Sequence, residues 1–199
     1  MIEMSKIQMA AVAILAALLI WTLYGAFVSM NVKEPPYQVI ETLDDRVEIR
    51  EYSRQIWALT SEDDRNRGFG RLFRYISGEN EGEVKIDMTA PVVTGAVSGE
   101  PFIAFVMPEG LELEDTPRPR DEGVKIEVVE ERKMAAIAFS GYATEERQKR
   151  HLTILEETLR DRGIDAQGDP VLMQYNDPWT PPFMRRNEVG VEIGGTTAP

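Results

Sequence analysis

The sequence predicts an α+β domain that follows one N-terminal transmembrane helix. Three features predict this fold class: a long uncharged run near the N-terminus, strand-like stretches that alternate with two amphipathic helices, and an order of elements that occurs twice. With 199 residues the chain has room for one domain and an appendage. We divide it into an N-terminal tail and anchor at 1–32, a linker at 33–36, a domain at 37–193 and a flexible C-terminal tail at 194–199.

The apolar run lies between Lys6 and Lys33, which enclose no charged residue. As a helix, about 20 apolar residues cross a bilayer. A cleaved signal peptide is the alternative, but its apolar stretch is usually about 7–15 residues, and the cleavage context near 26–29 is poor. We expect an uncleaved single-pass anchor. One lysine on each side specifies the orientation weakly, and we favour a domain outside the cytoplasm, which in a bacterium is the periplasm.

Composition narrows the range of functions. The net charge of −12 lies almost entirely after the anchor, which disfavours nucleic acid as a partner. The absence of cysteine excludes disulfides, thiolate zinc sites and iron–sulfur clusters. His151 is the sole histidine, and no phosphate-binding glycine loop or nucleophile elbow is present. We therefore expect a binding protein and not an enzyme.

The first round of elements begins with strand-like patterns at 47–49 and 56–59, on either side of a polar Ser53-Arg54 that indicates a hairpin. A helix follows, and Ser77-Gly78 ends it. Its apolar residues recur at i, i+3, i+4 and i+7 and so share one face: Phe69, Leu72, Phe73 and Ile76.

The second round has strands at 124–129 and 135–139, then a helix that Thr144 caps and Arg162-Gly163 ends. VEIREY at 47–52 parallels IEVVEE at 126–131, and VKIDMTAP at 84–91 aligns without gaps to VLMQYNDP at 171–178. These similarities indicate an internal duplication. Duplicated halves of this kind should pack their sheets together, with the two helices outside and a groove between sheet and helix.

Three segments in this order resemble the SOUL haem-binding family: KIDMTAP at 85–91, FSGYA at 139–143, and YNDP at 175–178 running on to RRNEV at 185–189. The resemblance spans Tyr37 to Ile193. It implies a distorted β-barrel built from two pseudo-repeats, each a β-hairpin, a helix and strands, with the helices packed outside. It also implies non-covalent binding of haem or a related porphyrin in an apolar groove beside a helix. Some members of the family use an axial histidine and others none, so the resemblance carries over no ligand set.

The apolar face of the first helix is one candidate wall for such a groove, because a flat macrocycle gains from burial against aromatic and aliphatic side chains. Core packing is the alternative for the same four residues, Phe69, Leu72, Phe73 and Ile76. Arginines of this helix could pair with propionates or simply form a solvated face: Arg65, Arg67, Arg71 and Arg74.

His151 is the one imidazole available as an axial iron ligand, with a half-exposed structural histidine as the alternative. We expect Met88 and Met173 to fill gaps in the core. Asp177 and Glu188 are conceivable as an acid and base pair, but turn formation and salt bridges explain both.

Carriage, buffering or sensing of a tetrapyrrole at a membrane surface is therefore the leading hypothesis for function. A general small-ligand or protein-binding module is the alternative, because fold does not fix function. An enzyme that acts on tetrapyrroles ranks third, since the chain has one histidine and no recognisable catalytic set. The sequence specifies no protein partner.

Overall fold

One antiparallel sheet carries two helices, and a third helix precedes it. The computed structural model describes residues 5–44, 46–61 and 65–194. Most of the tail predicted at 194–199, from residue 195 onward, lies outside these described residues. The helices are α1 (Lys6–Asn31), α2 (Arg65–Ile76) and α3 (Glu145–Asp161). The strands are β1 (Tyr37–Leu43), β2 (Val47–Tyr52), β3 (Gln55–Ser61), β4 (Val92–Val97), β5 (Glu100–Val106), β6 (Lys125–Val129), β7 (Arg132–Phe139), β8 (Ala166–Gln174) and β9 (Asn187–Ile193).

Helix α1 begins at a capping box, in which the backbone and side chains of Ser5 and Gln8 satisfy each other's hydrogen bonds. Residues 6–28 form a helix that is long and apolar enough to cross a membrane. The side chains of 6–20 are all exposed, whereas the following turns contact the domain. The apolar helix predicted from the sequence is therefore present, and its second half is part of the folded unit.

The strand order is nearly symmetric. It runs β1-β2-β7-β9-β8-β4-β5-β3-β6. If β1 is left out, the four strands on one side of the β8–β4 junction match the four on the other side in mirror order. At that junction Val93 pairs with Met173. The pairing of β2 with β7 corresponds to that of β6 with β3, and the pairing of β7 with β9 to that of β3 with β5. This symmetry supports the internal duplication.

Two details of the predicted repeat are wrong. The hairpin expected around Ser53-Arg54 does not form, because β2 pairs with β1 and β7 whereas β3 pairs with β5 and β6. Each repeat thus gives a strand to the other half of the sheet. The ungapped alignment of 84–91 with 171–178 also fails, since 171–174 belongs to β8 and 84–91 precedes β4.

The predicted barrel is only partly realised. In the part of the chain that the structure describes, the outermost strands β1 and β6 each pair with one neighbour and not with each other. The structure therefore establishes an α+β fold with a nine-stranded sheet.

The core has three clusters, which follow from the alternation of side chains along the strands. Leu155 and Leu159 of α3 pack against Val47, Ile49 and neighbouring strand residues. The second cluster lies under α2 and includes Leu72, Tyr75, Ile103 and Phe105. The third cluster lies on the other face of the sheet and includes Tyr52, Met134, Met173 and Tyr175. Each amphipathic helix therefore buries its own stripe against its own half of the sheet.

Helix α3 follows its sequence signals closely. The side chain of Thr144 accepts a hydrogen bond from the backbone N–H of Arg147, as expected of an N-cap. Gly163 follows the last turn with a φ of 66°, a left-handed conformation that favours glycine. These local signals fix both ends of the helix.

We expect Leu155→Ala to lower the free energy of unfolding by about 2–5 kcal/mol, because it leaves a cavity at a side chain that is fully buried between α3 and the sheet. Glu156→Ala, one residue along on the exposed side of α3, is the matched control and should change stability by less than about 0.5 kcal/mol. Denaturant unfolding of the full chain in detergent measures both. Equal losses in the two variants would contradict this packing of α3.

Candidate ligand cleft

An apolar cleft lies beside α2, where α1 ends. Its volume is about 420 Å³, within the range of about 300–1,000 Å³ that is common for small-molecule sites. Four parts of the chain form its walls: the end of α1 and the following residue, the start of α2, the segment that leads into β4 together with β5, and the segment that leaves β8. They contribute Val28 and Val32; Arg65, Asn66 and Phe69; Met88, Thr89, Ala90, Val92 and Ile103; and Gln174, Tyr175, Asn176, Asp177 and Pro178.

Two of the family-like segments therefore meet in this cleft, KIDMTAP through residues 88–90 and YNDP through residues 175–178. The stretches FSGYA and RRNEV do not line the cleft but contact each other. Asn187 of RRNEV donates hydrogen bonds to the carbonyls of Phe139 and Gly141 in FSGYA, and the N–H of Gly141 donates to the carbonyl of Pro182. The residues of these segments thus line the cleft or contact one another, although they are far apart in the sequence.

Phe69 supplies the aromatic surface of the cleft. Its ring packs edge-on against Phe105, with 5.1 Å between ring centroids, and stacks with Phe73 at 6.1 Å. Phe73 is exposed and does not line the cleft. These contacts hold Phe69 in place while part of its ring stays exposed.

The predicted face of α2 is divided between two environments. Leu72 and Ile76 are buried in the core with Tyr75, whereas Phe69 and Phe73 lie at the margin of that stripe. Helix–sheet packing accounts for this division, because the centre of an amphipathic stripe faces the sheet and only its edge can border a groove. Of the four apolar candidates, Phe69 alone lines the cleft.

The arginines of α2 also differ in position. Arg71 donates to Asp121, with 3.0 Å between Nε and Oδ2, and to the hydroxyl of Thr60 at 3.1 Å. It does not line the cleft, whereas Arg65 does and approaches the Oε1 of Gln174 at 3.4 Å. Arg65 is therefore the cation of α2 at the rim of the cleft.

His151 lies on α3, outside the lining of the cleft. Its ring stacks on Phe139 with 4.5 Å between centroids, and its Nδ1 is 2.7 Å from the carbonyl oxygen of Arg147. Within the described ranges, no group of three or more His, Asp or Glu residues is arranged to hold a metal ion.

The soft donor at the cleft is the thioether of Met88, which is 41% exposed, whereas Met173 is buried as expected. The packing role expected for Met88 is therefore wrong.

Behind the cleft a carboxylate is buried in the sheet. Glu188 is 1% exposed and accepts hydrogen bonds from two arginines and a tyrosine. Arg50 contacts it at 2.6 and 3.0 Å, Arg186 at 2.9 Å and the hydroxyl of Tyr175 at 2.8 Å. Burial on its own raises the pKa of Glu188, but the hydrogen bonds and charges of Arg50 and Arg186 outweigh burial and hold the pKa below its usual value.

Tyr175 joins this buried network to the cleft. Tyr175 is one of the residues that line the cleft, and its hydroxyl donates to Glu188. Burial and the negative charge of Glu188 raise the pKa of Tyr175, so the phenol stays protonated and serves as a hydrogen-bond donor, not as a phenolate ligand. The guanidinium of Arg186 lies over the ring at 3.8 Å and also pairs with Glu34 of the linker at 2.9 Å.

Asp177 holds the loop that forms one edge of the cleft. Its Oδ1 accepts from the backbone N–H groups of Trp179 and Thr180 at 2.8 and 2.7 Å, and its Oδ2 accepts from the hydroxyl of Tyr24 at 3.1 Å. Asp177 and Glu188 are thus occupied by separate structural hydrogen bonds. Sequence reasoning missed the burial of Glu188, because periodicity does not show that residues 187–191 of β9 are all buried.

The SOUL heme-binding protein family matches residues 32–192. The chain belongs to this family. The match covers the linker and nearly all of the sheet domain and leaves out α1 up to Asn31. The resemblance seen in the sequence is therefore confirmed.

Among the family's curated relatives, human Heme-binding protein 2 is 33% identical over 129 residues, which are 58% of this chain and 62% of that protein. Mouse Heme-binding protein 2 is 30% identical over 174 residues, or 78% of this chain and 83% of the relative. The match to the human protein thus spans less than two thirds of its length.

Solved structures of other proteins share the fold of this SOUL family member. The C-terminal domain of EcmrR has a TM-score of 0.54 at 12% identity and covers 80% of this chain and 99% of its own. A hydrolase from Listeria innocua has a TM-score of 0.53 at 9% identity, with 75% and 92% coverage. Identities this low show a common fold alone.

We expect Glu188→Gln to lower the free energy of unfolding by about 3–5 kcal/mol at neutral pH, because it leaves the buried Arg50 without its main counter-charge. Glu51→Gln, on β2 beside Arg50, is the matched control. That carboxylate is 3.9 Å from Lys133 and both side chains are more than a third exposed, so its loss should cost less than about 1 kcal/mol.

The difference between the wild type and E188Q should also depend on pH. Because the folded-state pKa of Glu188 lies below its unfolded value, its stabilisation is present above the unfolded pKa of about 4.3 and is lost as the pH falls through the folded pKa. Denaturant unfolding across this range measures the difference. A gap that stays constant into acid would contradict the assignment.

Proposed function

We propose that this SOUL family member binds haem or a related porphyrin non-covalently in the cleft beside α2. In this proposal it carries, buffers or senses the pigment at a membrane surface without catalysis, and residues 37–193 form the binding domain. The observation that carries the proposal is the meeting of two family segments, KIDMTAP and YNDP, in one apolar cleft. Relatives named Heme-binding protein 1 and 2 support the choice of ligand.

The walls suit a flat apolar ring. Phe69, Val92 and Ile103 offer aromatic and aliphatic surface from the domain, and Val28 and Val32 offer it from the end of α1 and the residue after it. Burial of such surface contributes about 25 cal/mol per Å². In this proposal the polar edge of the porphyrin stays in contact with solvent.

Charge at the rim suits the carboxylates of a porphyrin. We assign Arg65 to pair with a propionate, because this residue lines the cleft and the partner of its guanidinium, Gln174, is neutral. We assign Arg71, Leu72 and Ile76 to structural roles, since Asp121 and the core already engage them.

Iron ligation is a secondary contribution in this proposal. His151 is on α3 and lines no wall of the cleft, so we assign it to packing against Phe139. Met88 is the side chain of the lining with a soft sulfur donor for iron. The affinity then comes from the ring and its carboxylates, and metal-free porphyrins should bind as well.

Binding without catalysis agrees with the positions of the acidic residues. Glu188 is buried between Arg50 and Arg186, and Asp177 is held by the turn that it caps. Neither is free to exchange a proton with a ligand in the cleft. The acidic charge also leads us to expect no nucleic-acid partner.

We expect Phe69→Ala to weaken haem binding by about tenfold to a hundredfold, because it removes an aromatic wall worth about 1.5–3 kcal/mol. Titration of the full chain in detergent, followed by the Soret absorbance, measures this change. Phe183→Ala is the matched control, since Phe183 is an exposed phenylalanine outside the cleft. Equal weakening in both variants, or no binding by the wild type, would overturn the proposal.

In the same titration, His151→Ala should leave the affinity and the Soret maximum unchanged, whereas Met88→Ala should shift the maximum if its sulfur meets the iron. Metal-free protoporphyrin IX should bind within about tenfold of haem, a difference of less than about 1.4 kcal/mol. A lost Soret band in H151A would assign the iron to α3 instead.

A second candidate function is a general small-ligand module, and one observation favours it. A larger cavity of about 730 Å³ lies on the opposite face of the sheet, with Trp57, Phe102 and Met134 in its walls. Thermal-shift screening would discriminate, because ligands raise stability by mass action. A non-porphyrin ligand whose effect is lost in Phe102→Ala and kept in Phe69→Ala would favour this second function.

Anchoring is part of the proposal. We infer that α1 crosses the membrane once, with the domain outside the cytoplasm. The test adds protease to cells whose outer layers are permeabilised and whose inner membrane is intact. We expect the domain to be digested, because it is exported in this proposal. A domain that faces the cytoplasm would resist the protease. Protection in that assay would reverse the orientation, and release of the protein by alkaline carbonate would refute the anchor.

A further inference from the structure

Beside the end of α1, three large aromatic side chains are exposed. Tyr142, Trp179 and Phe183 are exposed to 59%, 74% and 67%, and we call them the aromatic patch. One arginine connects them: the guanidinium of Arg185 lies 4.8 Å from the centre of the Tyr142 ring and donates to the carbonyl of Pro178, beside Trp179. The backbone of Gly141 also bonds to Pro182, beside Phe183. The patch is therefore one surface and not three scattered side chains.

The loop of this patch is attached directly to α1. The indole N–H of Trp21 donates to the carbonyl of Trp179 at 2.6 Å. One turn further along α1, a Cβ added to Gly25 would lie 2.6 Å from the Cδ of Pro181, so helix and loop are in close contact there. The depth of α1 in a membrane therefore sets the depth of the loop.

The length of α1 indicates what that depth is. The exposed part of the helix, residues 6–20, is about 15 residues long and rises about 22 Å. The hydrocarbon core of a bilayer is about 30 Å thick. Lys6 limits how far the helix can slide, because a charged side chain is costly in hydrocarbon. Immersion of α1 to about Gly25, the turn in contact with the loop, supplies the remaining distance of about 8 Å.

We propose that the aromatic patch docks into the headgroup layer of the phospholipid bilayer that α1 crosses, so that the domain rests on the membrane. This inference depends on the anchoring proposed above. Tryptophan and tyrosine favour this layer because their rings are apolar and their N–H or O–H groups are polar. Arg147 and Arg185 flank the patch, as cations suited to anionic headgroups do.

Docking also places the mouth of the cleft at the lipid surface. Val28 and Val32 line the cleft just beyond the immersed turn of α1, and Pro178 lines it beside Trp179. An apolar pigment dissolved in the outer part of the bilayer would then reach the cleft without crossing water.

The chain has three tryptophans, at positions 21, 57 and 179, which makes depth measurable by fluorescence. The full chain is reconstituted in vesicles of phosphatidylcholine and phosphatidylglycerol that carry a doxyl quencher either near the headgroup or deep in the acyl chain. In W21F/W57F, only Trp179 emits, and the contact of Gly25 with Pro181 still joins α1 to the loop after the indole hydrogen bond of Trp21 is removed. We expect the shallow quencher to remove at least half of this emission and the deep quencher to remove less.

Two matched variants separate the possible failures. W21F/W179F reports Trp57 of the sheet, which should lose no emission to either quencher, and W57F/W179F reports Trp21 of α1, which should be quenched. Quenching of Trp21 without quenching of Trp179 would overturn the docking and leave the anchor intact. Quenching of neither would overturn both, whereas haem binding is measured separately and does not depend on this result.

Discussion

The buried carboxylate of Glu188 is the constraint on which the rest of the site depends. An ion in the interior loses several kcal/mol of hydration unless opposite charges and hydrogen bonds replace the water. Here Arg50 of β2 and Tyr175, just after β8, meet Glu188 of β9, and Arg186 completes the set. Strands from both repeats are thereby held in one register. The same contacts fix Tyr175, a residue of the cleft lining, and through Arg186 and Glu34 they connect the linker to the sheet.

The duplicated plan explains why a cleft exists beside one helix. Both repeats lay a helix on their half of the sheet, and each helix buries the centre of its apolar stripe. In α2 the stripe extends beyond the area that the sheet covers, so Phe69 and Phe73 remain at its edge. The polypeptide that leads into β4 and the end of α1 then enclose that edge. A surplus of aromatic surface on one helix is thus the origin of the apolar wall.

Local signals in the sequence were sufficient for α1, for the cap of α3 at Thr144 and for the existence of α2, because each depends on residues within a few positions of one another. The segments that resemble the SOUL family could also be recognised in the sequence. Strand partners were not, since β2 and β3 exchange between the repeats and an alternating pattern shows which face is buried but not which strand lies beside it. The pairing of Arg50 with Glu188 joins residues 138 positions apart. Periodicity also could not show that Leu72 and Phe69, on one helical face, would have different surroundings.

The close approach of Gly25 to Pro181 has a mechanical consequence. With no room for a Cβ at that point, the helix cannot roll about its own axis without breaking the contact. The joint between α1 and the domain is therefore stiff, unlike a linker that lets a domain rotate. If α1 crosses a membrane as proposed, every copy holds the same orientation relative to the bilayer plane. A molecule diffusing laterally in that plane would meet each copy from the same side, and its search would be two-dimensional.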